Sequence, residues 1–231
     1  MQKLKRRFAS VAVLSLLSGP AVLSAQFLGT SPANNLRDVA AIKLPSGSKV
    51  AIVVFEDLGC PACAHAHSIE IDAAKRANVP LLRYDFPFPG HIWTFQGAVC
   101  ARYIQEKINP QLANDYRSDV FAAQSRIASK DDLQQFTQRW MQQHNQKMPF
   151  VMDPDGSLAK EVQADYDLGL HVNVGYTPTV IVMTKDQHQV VCGTKDGPND
   201  PSAILPVVQA ALTVTRNAHS NSVRSASPRN Q

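Results

Sequence analysis

The sequence predicts an α/β domain interrupted by a block of helices. Three observations carry that reading. Residues 49–77 run KVAIVVFEDLGCPACAHAHSIEIDAAKRA, an apolar strand-like run, a short break and a helical stretch. From residue 91 to about 148, Gln, Ala and charged residues dominate and β-branched runs disappear. Strand patterns then return at 179–183 and 189–192, ahead of an amphipathic stretch at 202–213.

Residues 26–37 are a polar lead-in, and 38–44 fit a short strand or a turn of helix. Pro45-Ser46-Gly47-Ser48 signals a turn. Residues 50–55 are apolar throughout, as a strand buried on both faces requires. After a break at 56–59, a helix runs to about residue 75, with Pro61 in its first turn, where a missing N–H costs nothing. Asn78 ends it, and a second strand at 81–86 closes on Pro87-Phe88-Pro89-Gly90.

Three helices are expected next. The first spans 93–107 and stops at Asn109-Pro110. The second spans 111–124. The third spans 131–144, with Ser129 as N-cap and Asp131 and Asp132 in its first turn. Asp153-Pro154-Asp155-Gly156 is a turn before a helix at 157–168, and a loop covers 169–176. Two strands joined through Lys185-Asp186-Gln187-His188 and a final helix at 202–213 complete the order. The expected division is a signal peptide (1–25), a lead-in (26–48), a first core half (49–90), a helical insertion (91–148), a second core half (149–214) and a disordered tail (215–231).

The 231 residues suffice for one domain with a real core. Lys3, Lys5, Arg6 and Arg7 precede a short apolar region, a Ser18-Gly19-Pro20 break and small residues up to Ala25. That is the pattern of a secretory signal, with an uncleaved anchor as the alternative. The formal charge of +4 sits in the ends, so residues 26–214 carry about −3. No basic patch interleaves with aromatics, which argues against nucleic acid. Export to a periplasmic or other extracytoplasmic compartment is expected, with no stable membrane insertion after cleavage.

Four cysteines, Cys60, Cys63, Cys100 and Cys192, are too few for a disulfide scaffold at this length. Cys60 and Cys63 open a helix after a buried strand. The partial positive charge and unpaired N–H groups of a helix N-terminus favour a thiolate, and the spacing lets one sulfur reach the other. They read as a reactive pair, with Cys60 the more exposed nucleophile and Cys63 the buried resolving thiol. Cys100 and Cys192 read as separate buried thiols, with a structural disulfide as the alternative.

Strand, C-x-x-C helix and strand, followed later by a helix, Thr-Pro and a hairpin, is the order of the thioredoxin fold. Phe55-Glu56-Asp57-Leu58-Gly59-Cys60-Pro61-Ala62-Cys63 and Thr177-Pro178-Thr179 together resemble the DsbA-like thiol–disulfide oxidoreductases, as does His91-Ile92-Trp93 before an Ala-rich helix. The resemblance covers residues 49–213. It implies a thioredoxin fold with a helical insertion between its βαβ and ββα halves. It further implies that Pro178 is cis and faces the cysteines, and that Thr177 and Pro178 bind substrate. The implied partners are cysteine-containing exported proteins and a membrane redox protein, with no cofactor.

Two positions depart from the pattern. Val54 stands where many thioredoxin-like proteins carry a buried acid, six residues before Cys60, which leaves Glu56 and Asp57 as the nearest candidates for proton transfer. Ala62 gives the thiolate no side-chain donor. The expected reaction is dithiol–disulfide exchange by Cys60 and Cys63 within Cys60-Pro61-Ala62-Cys63, at a potential between about −120 and −270 mV. The alternative is a copper chaperone using Cys60, Cys63 and His67, which share a helix face. Phe86, Phe88, Trp93 and Phe95 read as packing the insertion onto the core, with a substrate groove as the second reading. Asp57 reads equally as a loop-orienting residue and as an exposed acid.

Overall fold

The computed structural model describes residues 36–194 and 199–226. The expected signal peptide, the lead-in up to residue 35 and residues 227–231 lie outside them. The elements are β1 (Val50–Glu56), α1 (Pro61–Ala77), β2 (Leu81–Asp85), α2 (Thr94–Lys107), α3 (Pro110–Ala123), α4 (Lys130–Gln143), α5 (Ser157–His171), β3 (Thr179–Thr184), β4 (His188–Cys192) and α6 (Ile204–Ala226). Residues 38–44, left open as strand or helical turn, hold a 3-10 turn at Val39–Ala41.

The four strands form one sheet in the order β2-β1-β3-β4. β1 pairs parallel with β2 and antiparallel with β3, and β4 pairs antiparallel with β3 at the edge. Every residue of β1 and β3 is buried. Side chains alternate across a sheet, so each strand feeds two cores. Val50, Ile52 and Val54 join Val180 and Val182 against α1 and α6. Val53 and Phe55 join Ile181 and Met183 against Phe86, Val172 and Val174 on the other face. At about 1.5–3 kcal/mol for each buried large aliphatic or aromatic side chain, these two layers are the main stabilisation of the sheet.

The helical insertion builds a third core. Tyr116, Val120, Leu133, Trp140 and Met141 from α3 and α4 pack with Ile104 of α2, and this cluster also takes in Leu58, Cys60, Cys63 and Trp93. The insertion therefore covers the C-x-x-C segment. Local chemistry sets its helix ends. Asn109 accepts hydrogen bonds from the N–H groups of Gln111 and Leu112, and Ser129 accepts one from Asp132. Asn78 closes α1 in the left-handed conformation.

Two helices run past their expected ends. The final helix does not stop at residue 213 but runs to Ala226, through the first part of the segment expected to be disordered. No Gly or Pro stands between Pro206 and Pro228, so no local breaker ends the helix where the polar composition begins. Likewise α5 extends to His171, shortening the loop expected at 169–176. No described helix is long and apolar enough to cross a membrane.

Candidate active site

Cys60 stands in extended backbone as the N-cap of α1, with Pro61 at the first helical position. It lies at the end of a strand and the start of a helix, where the unpaired N–H groups converge. Its Sγ lies 3.1 Å from the carbonyl oxygen of Thr177, 117 residues later. The Thr177–Pro178 peptide bond is cis. Ala62, His65, Tyr176, Thr177, Pro178, Cys192 and Gly193 border one open groove of about 380 Å³. The structure thus brings Cys60, Ala62, Thr177 and Pro178 together.

The two thiols differ sharply. Cys60 keeps 9% of its surface exposed and Cys63 keeps 1%. A hydrogen bond from the Cys63 thiol holds Cys60 down to about 6, against the opposing effect of burial. The Thr177 side chain and the backbone N–H groups of Cys63 and Ala62 act in the same direction as Cys63. Burial pushes Cys63 well up, the bond to Cys60 and its charge add to this, and the Glu56 charge does too. A backbone N–H at Asp57 pulls Cys63 the other way. At pH 7 a thiol of pKa 6 is about nine-tenths thiolate, against about one hundredth for one at 9. The pair therefore holds one nucleophile and one protonated reserve.

The loop before Cys60 is fixed by contacts that the sequence does not reveal. Asp57 is 1% exposed, so it is the orienting residue and not an exposed acid. It accepts hydrogen bonds from the N–H groups of Gly59 and Phe88 and from His91 Nδ1. Gln124, just past α3, donates to the carbonyls of Leu58 (3.0 Å) and Cys60 (3.3 Å). A Cβ at Gly59 would stand 2.7 Å from the Thr94 methyl, which is why only glycine lets the insertion close onto this loop.

Behind the loop lies a buried charge network. Arg117 of α3 donates to Glu56 Oε1 (3.1 Å) and grips both oxygens of Asp85 (2.7 and 3.1 Å). Arg102 of α2 adds bonds to Asp85 (2.9 Å) and to Asp165 of α5. The network ties the ends of β1 and β2 to three helices. The sequence signal was an acid ending an otherwise apolar strand, and an arginine within the apolar face of α3.

The predicted copper ligands do not converge. Among the described residues, the group of three metal-ligating side chains whose atoms all lie within 4.8 Å of one another is Glu56, His67 and Glu70. His67 turns toward Ser118 and Glu56, not the cysteines. Cys100 and Cys192 are both free thiols, one in the insertion core and the other beside α6. Phe86 and Trp93 are buried, while Phe95 is 37% exposed. Phe88 and Phe95 line a separate small cleft with Ile92 and Tyr166, so these four aromatics do not line one groove with Cys60.

The family described as Thioredoxin matches residues 46–203. Comparison with curated protein sequences found no match. Among solved structures, the oxidoreductase NmDsbA1 from N. meningitidis is 16% identical at a TM-score of 0.54, over 77% of this chain and 90% of that one. Wolbachia pipientis alpha-DsbA1 is 11% identical at 0.56, over 76% and 92%. Proteus mirabilis ScsC in a transitional conformation is 14% identical at 0.56, over 74% and 71%. The fold is thus the one these structures share, and the match over residues 46–203 shows that the chain belongs to the thioredoxin family.

Proposed function

We propose that this protein is an exported thiol–disulfide oxidoreductase acting on cysteine-containing exported proteins. The observation that carries this is the asymmetry of the pair: Cys60 at the helix terminus, held down to about 6, beside a buried Cys63 pushed well up. Cys60 forms the mixed disulfide with a substrate sulfur, and Cys63 resolves it. The groove beside Thr177 and Pro178 supports docking of an extended substrate segment next to Cys60. The cysteines carry the electrons without a bound cofactor. A membrane redox partner resets the pair. Export, to the periplasm or an equivalent compartment, rests on the basic, apolar and small-residue run over residues 1–25.

Without a donor at Ala62, the thiolate relies on the helix terminus, Cys63 and Thr177, and the potential falls between about −120 and −270 mV. Equilibration against glutathione buffers measures it, and a value at either extreme contradicts the reasoning. The activity itself is tested by insulin reduction. The wild-type domain accelerates it and Cys60→Ser does not. Retained dithiol-dependent activity in Cys60→Ser sinks the proposal.

A further inference from the structure

The turn between β2 and α2 leaves apolar surface uncovered next to the Cys60 loop. Ile92 is 61% exposed and Phe95 37%. With Phe88, His91 and Tyr166 of α5 they line a cleft of about 240 Å³. Large apolar side chains left in water around a concavity mark a binding surface. No Asp, Glu, Lys or Arg of the described residues lines this one.

The shape of the cleft is preset. The buried Phe86 holds two of its walls: Tyr166 stacks on it at 4.8 Å, and Phe88 meets it edge-on at 5.7 Å. His91 is fixed by the buried Asp57, which accepts from Nδ1 at 2.5 Å. The same carboxylate accepts from the N–H groups of Gly59 and Phe88. Nδ1 therefore carries the hydrogen, and Nε2 of the neutral imidazole is an acceptor. The His91 side chain is 40% exposed, and Nε2 has no hydrogen-bond partner among the described residues. Gln163, the other polar side chain of the cleft, donates its amide N–H to Asp167 at 2.8 Å.

We propose that this cleft is a side-chain subsite of the exchange reaction. It seats one aromatic residue of the client chain, and it prefers tyrosine to phenylalanine because the tyrosine hydroxyl donates to His91 Nε2. This rests on the oxidoreductase reading and names the client chemistry for the same site: cysteines with an aromatic residue two positions away. The size, the walls and the polar atom all suit that occupant. At about 240 Å³ the cleft is smaller than the roughly 300–1,000 Å³ of sites that take a whole small molecule, so it suits a single side chain. Its walls are ring faces and edges, against which another ring packs at the spacing of aromatic pairs. The nitrogen it offers is an acceptor, which pairs with a hydroxyl and sets acceptor against acceptor with a carboxylate.

The reach fits as well. A Cβ on Gly59 would stand 3.1 Å from His91 Nδ1, and Gly59 directly precedes Cys60. With about 3.8 Å between neighbouring Cα atoms, the imidazole lies within about 8 Å of the Cys60 Cα. Two residues of extended chain span about 7 Å. A client cysteine that has met Cys60 Sγ can therefore bring its second neighbour to the cleft. Thr177, whose carbonyl oxygen lies 3.1 Å from the same sulfur, remains beside the client backbone.

The test uses the reduced full-length protein and short Gly/Ser peptides, each with one cysteine held as a mixed disulfide with nitrothiobenzoate. Tyr, Phe or Ala stands two positions before the cysteine in one set and two positions after it in the other. Attack by Cys60 on the peptide sulfur releases nitrothiobenzoate, and each rate is divided by that of free glutathione with the same peptide. In the better set, the Tyr peptide reacts about tenfold faster than the Ala peptide and about threefold faster than the Phe peptide. In Phe95→Ser the three rates come within about twofold of one another. In His91→Phe, which keeps a ring and removes the acceptor, Tyr and Phe react alike and both stay ahead of Ala. Equal rates for the three peptides in the wild type overturn the proposal. So does an aromatic preference that survives in Phe95→Ser, or a preference for Tyr over Phe that survives in His91→Phe. If His91→Phe does not fold, Phe95→Ser decides alone, because its side chain stands at the exposed rim. No reaction with any peptide in the wild type sinks the oxidoreductase reading itself.

Discussion

Replacing Cys63 by Ala should raise the Cys60 thiol by about one to two pKa units. The largest influence holding Cys60 at about 6 is the hydrogen bond from the Cys63 thiol, and the Ala side chain cannot make it. A hydrogen bond to a charged group is worth about 1.5–3 kcal/mol. At about 1.36 kcal/mol per unit, its loss is about one to two units. The backbone N–H groups of residues 62 and 63 and the Thr177 side chain remain, so the thiol should titrate at about 7–8 and not return to 9. The assay is the ultraviolet absorbance of the thiolate against pH, with alkylation rate as a second readout. A Cys63→Ala midpoint still near 6 refutes the reasoning and transfers the stabilisation to the helix terminus alone. A midpoint near 9 refutes it from the other side.

Three further outcomes follow from the same contacts. Arg117→Met leaves Glu56 and Asp85 buried without their main partner, so chemical denaturation should show a loss of about 3–5 kcal/mol; a loss under about 1 kcal/mol would mean that the network is solvated. Gln124→Leu removes two hydrogen bonds to the Cys60 loop and should cost about 1–3 kcal/mol in denaturation of the reduced protein, and an unchanged midpoint contradicts the positioning role. Because the folded Cys60 pKa lies below its unfolded value of about 9, its stabilisation of the reduced fold is complete above about pH 9 and lost as pH falls through about 6. Denaturation of the reduced protein across that window should show stability rising with pH, while the disulfide form, lacking the thiolate, should not show this rise.

The elements with local signals were legible in the sequence. Pro61 and Asn78 bracket α1, Asn109-Pro110 divides α2 from α3, and Ser129 caps α4, each through chemistry within three or four residues of the helix end. What was not legible depends on residues far apart. Asp57 looks like a loop acid until Phe88 and His91 are seen on it. The Cys60–Cys63–His67 face looks like a ligand set until Glu56 and Ser118 claim the imidazole. Glu56 belongs to a network closed by Arg117, 61 residues away. The length of α6 is hidden for a different reason: polar composition signals disorder, yet a polar segment free of Gly and Pro continues a helix already nucleated by packing.

The central claim is that Cys60 is the attacking sulfur of a disulfide exchange and that Cys63 resolves it. Incubating the reduced Cys63→Ala protein with a disulfide-bonded peptide tests this most directly, because the resolving thiol is gone and the intermediate persists. A stable mixed disulfide mapped by mass spectrometry to Cys60 is the predicted result. No adduct, or one on Cys100 or Cys192, contradicts it.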